Sequence, residues 1–243
     1  MIIDMHLHIL PGVDDGASDM NQALEMAVTA AQSGVTHLVA TPHYQFYGHP
    51  DTVQIQDAFS RLADQLAFEE IPIALSLATE HFACPELPER LHKEGCYPNS
   101  RYFLVEFAPS DHPKDMDILL QRCAAEGFLP VVAHPERYFG IQEHPHYARD
   151  WAEKGWGVQI NRDSLMGRFG PARFLCADLL LQKDWANIIA SDAHSTGLRN
   201  TRWEQALDLF SQRYSQATLR RCLWDTPNQI LQNKPIESTG NLL

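Results

Sequence analysis

No stretch of this chain supplies the roughly 18 consecutive apolar residues that a membrane-spanning helix requires, so insertion into a bilayer is not expected. Cysteine is sparse and poorly arranged for structural chemistry. Cys84, Cys96, Cys123, Cys176 and Cys222 are odd in number, irregularly spaced and without a CxxC pair, which argues against a disulfide framework and against a thiolate zinc site. Basic charge is in deficit: 19 Lys and Arg stand against 31 Asp and Glu, a formal net charge of -12. A nonspecific nucleic-acid binder needs a basic face to displace counterions from phosphates, so that class is set aside. The opening residues, MIIDMHLHIL, lack the basic segment of a secretory signal, and a cytoplasmic location is the expectation. Low-complexity tracts and clear internal repeats are missing too. What remains is an ordinary globular composition, 44% apolar and 21% charged, long enough for one large α/β domain over residues 1–243, with a flexible tail from about 236 to 243.

Short β-branched and apolar runs alternate with longer segments of helical period, the pattern of repeated βα units around a parallel sheet or barrel. Strands are expected at Met1–Met5, His37–Ala40, Ile73–Leu77, Tyr102–Phe107, Leu129–Ala133, Gly157–Ile160 and Asn187–Ala190. Helices are expected at Met20–Gln32, Val53–Phe68, Lys114–Ala125 and Pro171–Gln182, then at Thr201–Phe210, Gln216–Leu223 and Pro227–Gln232. Gly34 and Gly127 stand where C-caps belong, and Gly155 is placed to end a shorter helix.

Chemistry collects where these strands end. HLH (His6, His8) follows the first strand, TPH (His43) the second, ATE (Glu80) the third, and VEF (Glu106) closes the fourth. AHPER (His134, Arg137) follows the fifth, and SDAH (Asp192, His194) the last. Six βα connections thus bring metal-ligand side chains to one end of the sheet, where α/β barrels build their active sites. Alone, an HxH pair is common enough to be a core or surface feature. Its i, i+2 spacing nonetheless puts both imidazoles on one side of an extended segment, and Asp192 and His194 repeat the spacing at the far end of the barrel. A buried ion pair would explain Glu80 or Glu106 singly, since an unpaired buried carboxylate is costly. Six loops in agreement favour metal. Asp14 reads as a turn or capping residue, Asp15 as a ligand.

Cys84 to Arg90, CPELPER, has the Cx5R spacing of cysteine-dependent phosphatases. Two prolines remove backbone donors and two glutamates would repel a phosphate, so the match reads as accidental. His37, His49, His81, His92, His112, His144 and His146 read as capping, loop or surface histidines. Tyr44, Phe46 and Tyr47 are either apolar cover for the barrel mouth or a stacking surface for a substrate ring.

The set HLHILPGVDDGA, TPHY, ATE, VEF, HPER and SDAH resembles the polymerase and histidinol phosphatase (PHP) superfamily. Within it, HxHxLPxxDDGA and HxER resemble the manganese-dependent tyrosine phosphatases of capsular and exopolysaccharide operons, the CpsB/YwqE type. The likeness runs in order from Met1 to about Pro235. It implies a distorted (β/α)7 barrel holding three divalent ions, manganese by family habit, with iron, zinc or cobalt compatible with the same imidazole and carboxylate donors. It further implies that His6, His8, Glu80 and Asp192 hold one ion, and that Glu80 bridges to a second held by Glu106 and His134. Asp15, His43 and His194 would hold the third, and Arg137 and Arg199 the phosphate.

The expected reaction is in-line hydrolysis of phosphotyrosine in a protein by a metal-activated hydroxide, with Glu80, Arg137 and Arg199 as the catalytic set and no phosphoenzyme. The resemblance suggests the tyrosine-rich tail of a bacterial tyrosine kinase as partner. A small-molecule phosphatase such as histidinol-phosphate phosphatase is the alternative. A metal-dependent amidohydrolase lacks its bridging lysine here, and a noncatalytic PHP module would show missing ligands.

Overall fold

The computed structural model describes residues 1–44, 52–93 and 95–236. Among the described residues nine strands run in chain order: β1 (Ile2–Leu7), β2 (Val35–Ala40), β3 (His43–Tyr44), β4 (Ala74–Leu77), β5 (Glu80–Phe82), β6 (Tyr102–Glu106), β7 (Leu129–Ala133), β8 (Gly157–Asn161) and β9 (Ile188–Ala190). Every pairing among them is parallel. They fall into two sheets, β1-β2-β4 and β3-β5-β6-β7-β8-β9.

The split is a bend and not a break. β2 continues into β3 past Thr41 and Pro42, and β4 into β5 past Ala78 and Thr79. Across the bends Ala78 N donates to Ala40 O (2.8 Å) and Glu80 N to Pro42 O (3.1 Å), so each pair is one stave. The seam closes where Leu7 bridges Ala193 in parallel and His8 N donates to Ala193 O at 2.8 Å. Counting β2/β3 and β4/β5 once each leaves seven staves, a distorted α/β barrel.

Side-chain alternation divides the core in two. Phe103, Val105 and Val132 join Met26, Leu62, Leu120, Trp151 and Leu180 of the surrounding helices in one cluster. Tyr102, Leu104, Val131 and Ala133 face the other way and pack with Ile3, Met5, Val39 and Ile188 inside the barrel. Ile236, placed by sequence at the start of a tail, is buried in this inner cluster, and its N–H donates to Tyr102 Oη at 3.1 Å. Residues 237–243 lie outside the described residues.

Helices Met20–Gln32 and Pro171–Gln182 have the expected bounds, and Asp19 caps the first by accepting from Gln22 N at 2.9 Å. The helix expected from Thr201 begins at Glu204, because the Thr201 hydroxyl is tied to Met26 O at 2.7 Å in the preceding loop. Helix Gln216–Arg220 continues as a widened turn, Arg221–Asp225, into Thr226–Leu231. Pro227 has no N–H to return to Leu223, which accounts for the widening.

Candidate metal centre

Extended backbone in β1 sends His6 and the following His8 to the same side, both fully buried. Their Nε2 atoms are 3.3 Å apart. Each lies 3.2 Å from Glu80 Oε2, and Asp192 Oδ1 is 3.5 Å from His6 Nε2 and 3.7 Å from His8 Nε2. The outer nitrogens are engaged elsewhere: His8 Nδ1 donates to Asp14 Oδ2 (2.7 Å) and His6 Nδ1 to Gln159 Oε1 (2.9 Å). In neutral rings, the form that binds a metal, that leaves the Nε2 lone pairs facing each other and a carboxylate.

The other oxygen of Glu80 faces a different group. His134 Nε2 is 3.2 Å from Oε1 and 3.9 Å from Glu106 Oε2. His43 Nδ1 is 3.2 Å from Glu80 Oε2 and 3.3 Å from Glu106 Oε1. Asp15 Oδ1 lies 3.4 Å from both His43 Nε2 and His194 Nε2. Among the described residues three overlapping donor groups result: His6, His8 and Glu80; His43, Glu80 and Glu106; His8, Asp15, His43 and His194. Asp192 and His134 sit at the margins of these groups. His43, which the resemblance places with Asp15 and His194 alone, stands between two of them.

Whether these residues fit a cation is decided at Glu80. Its Oε2 is buried and, among the described residues, accepts no well-aligned hydrogen bond, although three imidazole nitrogens surround it at 3.2 Å. A buried carboxylate oxygen so placed is costly without a positive charge among the donors, and nitrogen and oxygen donors without thiolate suit a borderline divalent ion.

Without an ion, the same carboxylates draw positive charge onto the imidazoles as protons. Burial opposes a charged His8, but the carboxylates of Asp14 and Glu80 outweigh it and push the imidazole up to about 10. Burial also opposes ionisation of Asp14, yet the hydrogen bond from His8 brings it down to about 2. Glu80 and Asp192 are held well below the usual carboxylate range despite burial, Glu80 by His6, His134 and His8, Asp192 by His6, Arg199 and His134. Burial and the positive field of His8 lower His194 to about 3.

Arg137 and Arg199 flank Asp192, with Arg199 Nη2 2.6 Å from Oδ1 and Arg137 Nη1 3.4 Å from Oδ2. Both guanidinium groups are partly exposed into a cleft of about 220 Å³ lined by His43, Glu80, Glu106, His134, Arg137, Asp192, His194 and Arg199. His134 (φ 33°) and Asp192 (φ 50°) hold left-handed backbone, a costly conformation that in non-glycine residues gathers at functional sites.

Asp14 corrects the sequence reading. It does shape a turn, accepting from Gly16 N at 3.0 Å, but it also accepts from His8 Nδ1 and from His43 N (3.0 Å), orienting two ligand positions at once. Gly16 lets this loop lie against β1, since a Cβ there would overlap the His8 carbonyl oxygen. Asp14→Asn must set its amide N–H either against the N–H groups of His8 and His43 or against that of Gly16, because both carboxylate oxygens now accept. We expect it to weaken metal binding about 10- to 100-fold, read by calorimetric titration with Mn(II).

Other positions went unnoticed in the sequence. Glu136 of HPER is buried and accepts from Asn161 N (3.0 Å) and Ser164 Oγ (2.7 Å), pinning the loop that carries Arg137 to the end of β8. Arg162, also buried, donates to Arg202 O and Asn200 O and so fixes the loop of Arg199. Gln159 and Asn161 are buried amides two residues apart, a signal of the same form as HxH.

His112 caps the helix after it, as expected, whereas His81 is buried in β5 and neither a loop nor a surface residue. The Tyr44 ring lies under Arg90, 5.3 Å from centroid to guanidinium. Phe46, Tyr47 and His49 lie outside the described residues. Burial raises the Cys84 thiol above its ordinary range, so it is not a thiolate nucleophile at neutral pH. Cys84→Ser is expected to retain phosphatase kcat within about twofold in a phosphotyrosine-peptide assay.

The model of the capsular polysaccharide synthesis family CpsB/CapC matches residues 2–232. The chain belongs to that family. Among CpsB/CapC relatives, the tyrosine-protein phosphatase YwqE of Bacillus subtilis is 32% identical over 241 residues, covering 97% of this chain and 93% of YwqE. The tyrosine-protein phosphatase CpsB of Streptococcus pneumoniae is 24% identical over 250 residues, covering 97% of this chain and all of that protein (100%). A solved structure from work describing YwqE and CpsB as unique metal-dependent tyrosine phosphatases superposes with a TM-score of 0.88 at 30% identity, covering 97% of this chain and 96% of that one. Dihydropyrimidinase from Brevibacillus agri (TM-score 0.55, 11% identity, 98% of this chain and 73% of that one) shares the fold alone.

Proposed function

We propose that this CpsB/CapC-family chain, acting as one catalytic unit, hydrolyses phosphotyrosine in proteins with divalent metal held by His6, His8, Asp15, His43, Glu80, Glu106, His134, Asp192 and His194. The observation that carries this is Glu80, both of whose oxygens are ringed by imidazoles at the floor of a cleft that two arginines overlook. The names of YwqE and CpsB support the substrate class. We take the ions to be three, with manganese as the resident metal; the three overlapping donor groups among the described residues support the number.

When bound, the ions supply Lewis acidity that neutralises phosphoryl oxygens and acidifies water. Arg137 and Arg199 then present N–H groups to the phosphoryl oxygens, turning from Asp192 toward the substrate. The leaving phenol has a pKa of about 10, so its departure needs little proton donation. No side chain of this cleft is required as a nucleophile.

Histidinol phosphate is the competing substrate class. Among the described residues the cleft of about 220 Å³ is smaller than the roughly 300–1,000 Å³ of pockets that enclose a small molecule, which favours a tyrosine reaching in from a protein surface. A noncatalytic role is disfavoured by the filled and assembled ligand set. The physiological partner we propose is the tyrosine-rich tail of a kinase of polysaccharide export. Metal analysis with turnover of a phosphotyrosine peptide and of histidinol phosphate, each with and without EDTA, tests the reading. Chelator-sensitive turnover of the peptide at a kcat/KM at least about tenfold above that of histidinol phosphate is expected. The reverse preference, or activity indifferent to EDTA, overturns it.

A further inference from the structure

β8 carries no charged ligand, yet its last residues reach two of them. Gln159 and Asn161 share a face of the strand through its period of two, and both are completely buried. Asn161 Nδ2 donates to Asp192 Oδ2 at 2.7 Å, Gln159 Nε2 donates to Asn161 Oδ1 at 2.9 Å, and Gln159 Oε1 lies 2.9 Å from His6 Nδ1. The direction of this chain is not free. A carboxylate only accepts, so Asn161 must turn its amide nitrogen to Asp192 and its oxygen to Gln159. Gln159 must in turn offer its own nitrogen to Asn161 and its oxygen to His6. His6 Nδ1 is thereby required to be the protonated nitrogen, and Nε2, on the Glu80 and Asp192 side, to carry the lone pair.

We propose that Gln159 and Asn161 are positioning residues that form a one-way hydrogen-bond relay, by which the Asp192 carboxylate sets the tautomer of His6 and prepares both for the same divalent ion. The same contact, with Arg137 Nη1 at 3.4 Å, engages Asp192 Oδ2, while Oδ1 faces the His6 and His8 nitrogens and Arg199 Nη2 at 2.6 Å. The proposal rests on the reading of His6 and Asp192 as ligands of one ion, and its test uses no phosphatase activity.

The experiment is a calorimetric titration of metal-free protein with Mn(II), comparing wild type with Gln159→Met, Asn161→Leu and the double variant. Each single variant is expected to weaken one binding event about 10- to 100-fold while leaving the other events within about twofold. A relay is broken only once, so the double variant is expected to lose no more than the worse single variant. Losses that multiply in the double variant, unchanged affinity in either single variant, or equal weakening of every event would overturn the proposal. Should the variants not fold, long-range proton–nitrogen NMR of metal-free wild-type protein, at a pH where His6 is neutral, decides it. A proton on His6 Nδ1 supports the relay, and a proton on Nε2 refutes it. Binding lost across all variants with His6 correctly protonated in wild type, and no metal event assigned to His6, would instead defeat the ligand assignment.

Discussion

Glu80→Gln is expected to lower kcat on a phosphotyrosine peptide by at least about 10³-fold and to reduce the metal retained after gel filtration. The size follows from the several kcal/mol that metal chemistry contributes to a transition state, at about 1.36 kcal/mol for each tenfold. Glutamine is the same shape, so packing in β5 is conserved and the effect reports charge. Its amide nitrogen would also donate to the imidazole lone pairs that otherwise point at Oε2, turning an inviting arrangement for a cation into a satisfied neutral one. Full activity with a full metal complement in this variant would remove the central argument for the site.

Arg199→Ala is expected to cost about 10²- to 10³-fold in kcat/KM while metal content stays at the wild-type level, the order of loss seen when one preorganised donor to a developing charge is removed. Arg199 lies 2.6 Å from Asp192 and helps to neutralise it, so its loss leaves that carboxylate more, not less, available to a cation. The two variants therefore separate by metal analysis, one losing activity with metal and the other losing activity alone. Arg199→Lys is expected to recover little, because an ammonium cannot reproduce the planar pair of N–H donors. An Arg199→Ala protein that has shed its metal would mean that the guanidinium serves the fold of its loop and not the phosphate.

Much of this candidate centre can be read from the sequence because six of the nine proposed ligands follow apolar runs. His6, His43, Glu80, Glu106, His134 and Asp192 all stand at the ends of segments whose hydrophobicity announces a strand. The barrel is legible for the same reason, down to the bounds of β7. β3 and β5 are not, being two and three residues long and polar, recognisable only as continuations of β2 and β4 across a bend. The short helices Leu87–Leu91 and Phe139–Glu143 also fall below the length at which helical period shows, whereas His146–Glu153 is announced only by the Gly155 that follows it. Gln159, Asn161 and Glu136 escape for a different reason. A buried amide or carboxylate that serves a ligand looks in sequence like any polar residue, and its partner lies on another stave. Asp14 escapes because a turn explains it fully, although the turn is only half of what it does.

The seam between the first and last staves sets an order of events in the life of the polypeptide. Asp4 accepts from the backbone N–H of Ser191, and the two residues are 187 positions apart. His8 meets Ala193 across the same joint. A nascent chain that has emerged only through β8 has six of the seven staves but neither Asp192 nor His194, and contacts so distant in sequence form late. The ribosome must therefore nearly finish its work before the barrel can close: the donor groups of His6, His8 and Glu80 and of His43, Glu80 and Glu106 lie in the first half of the chain, whereas the group that needs His194 is completed only at that closing act.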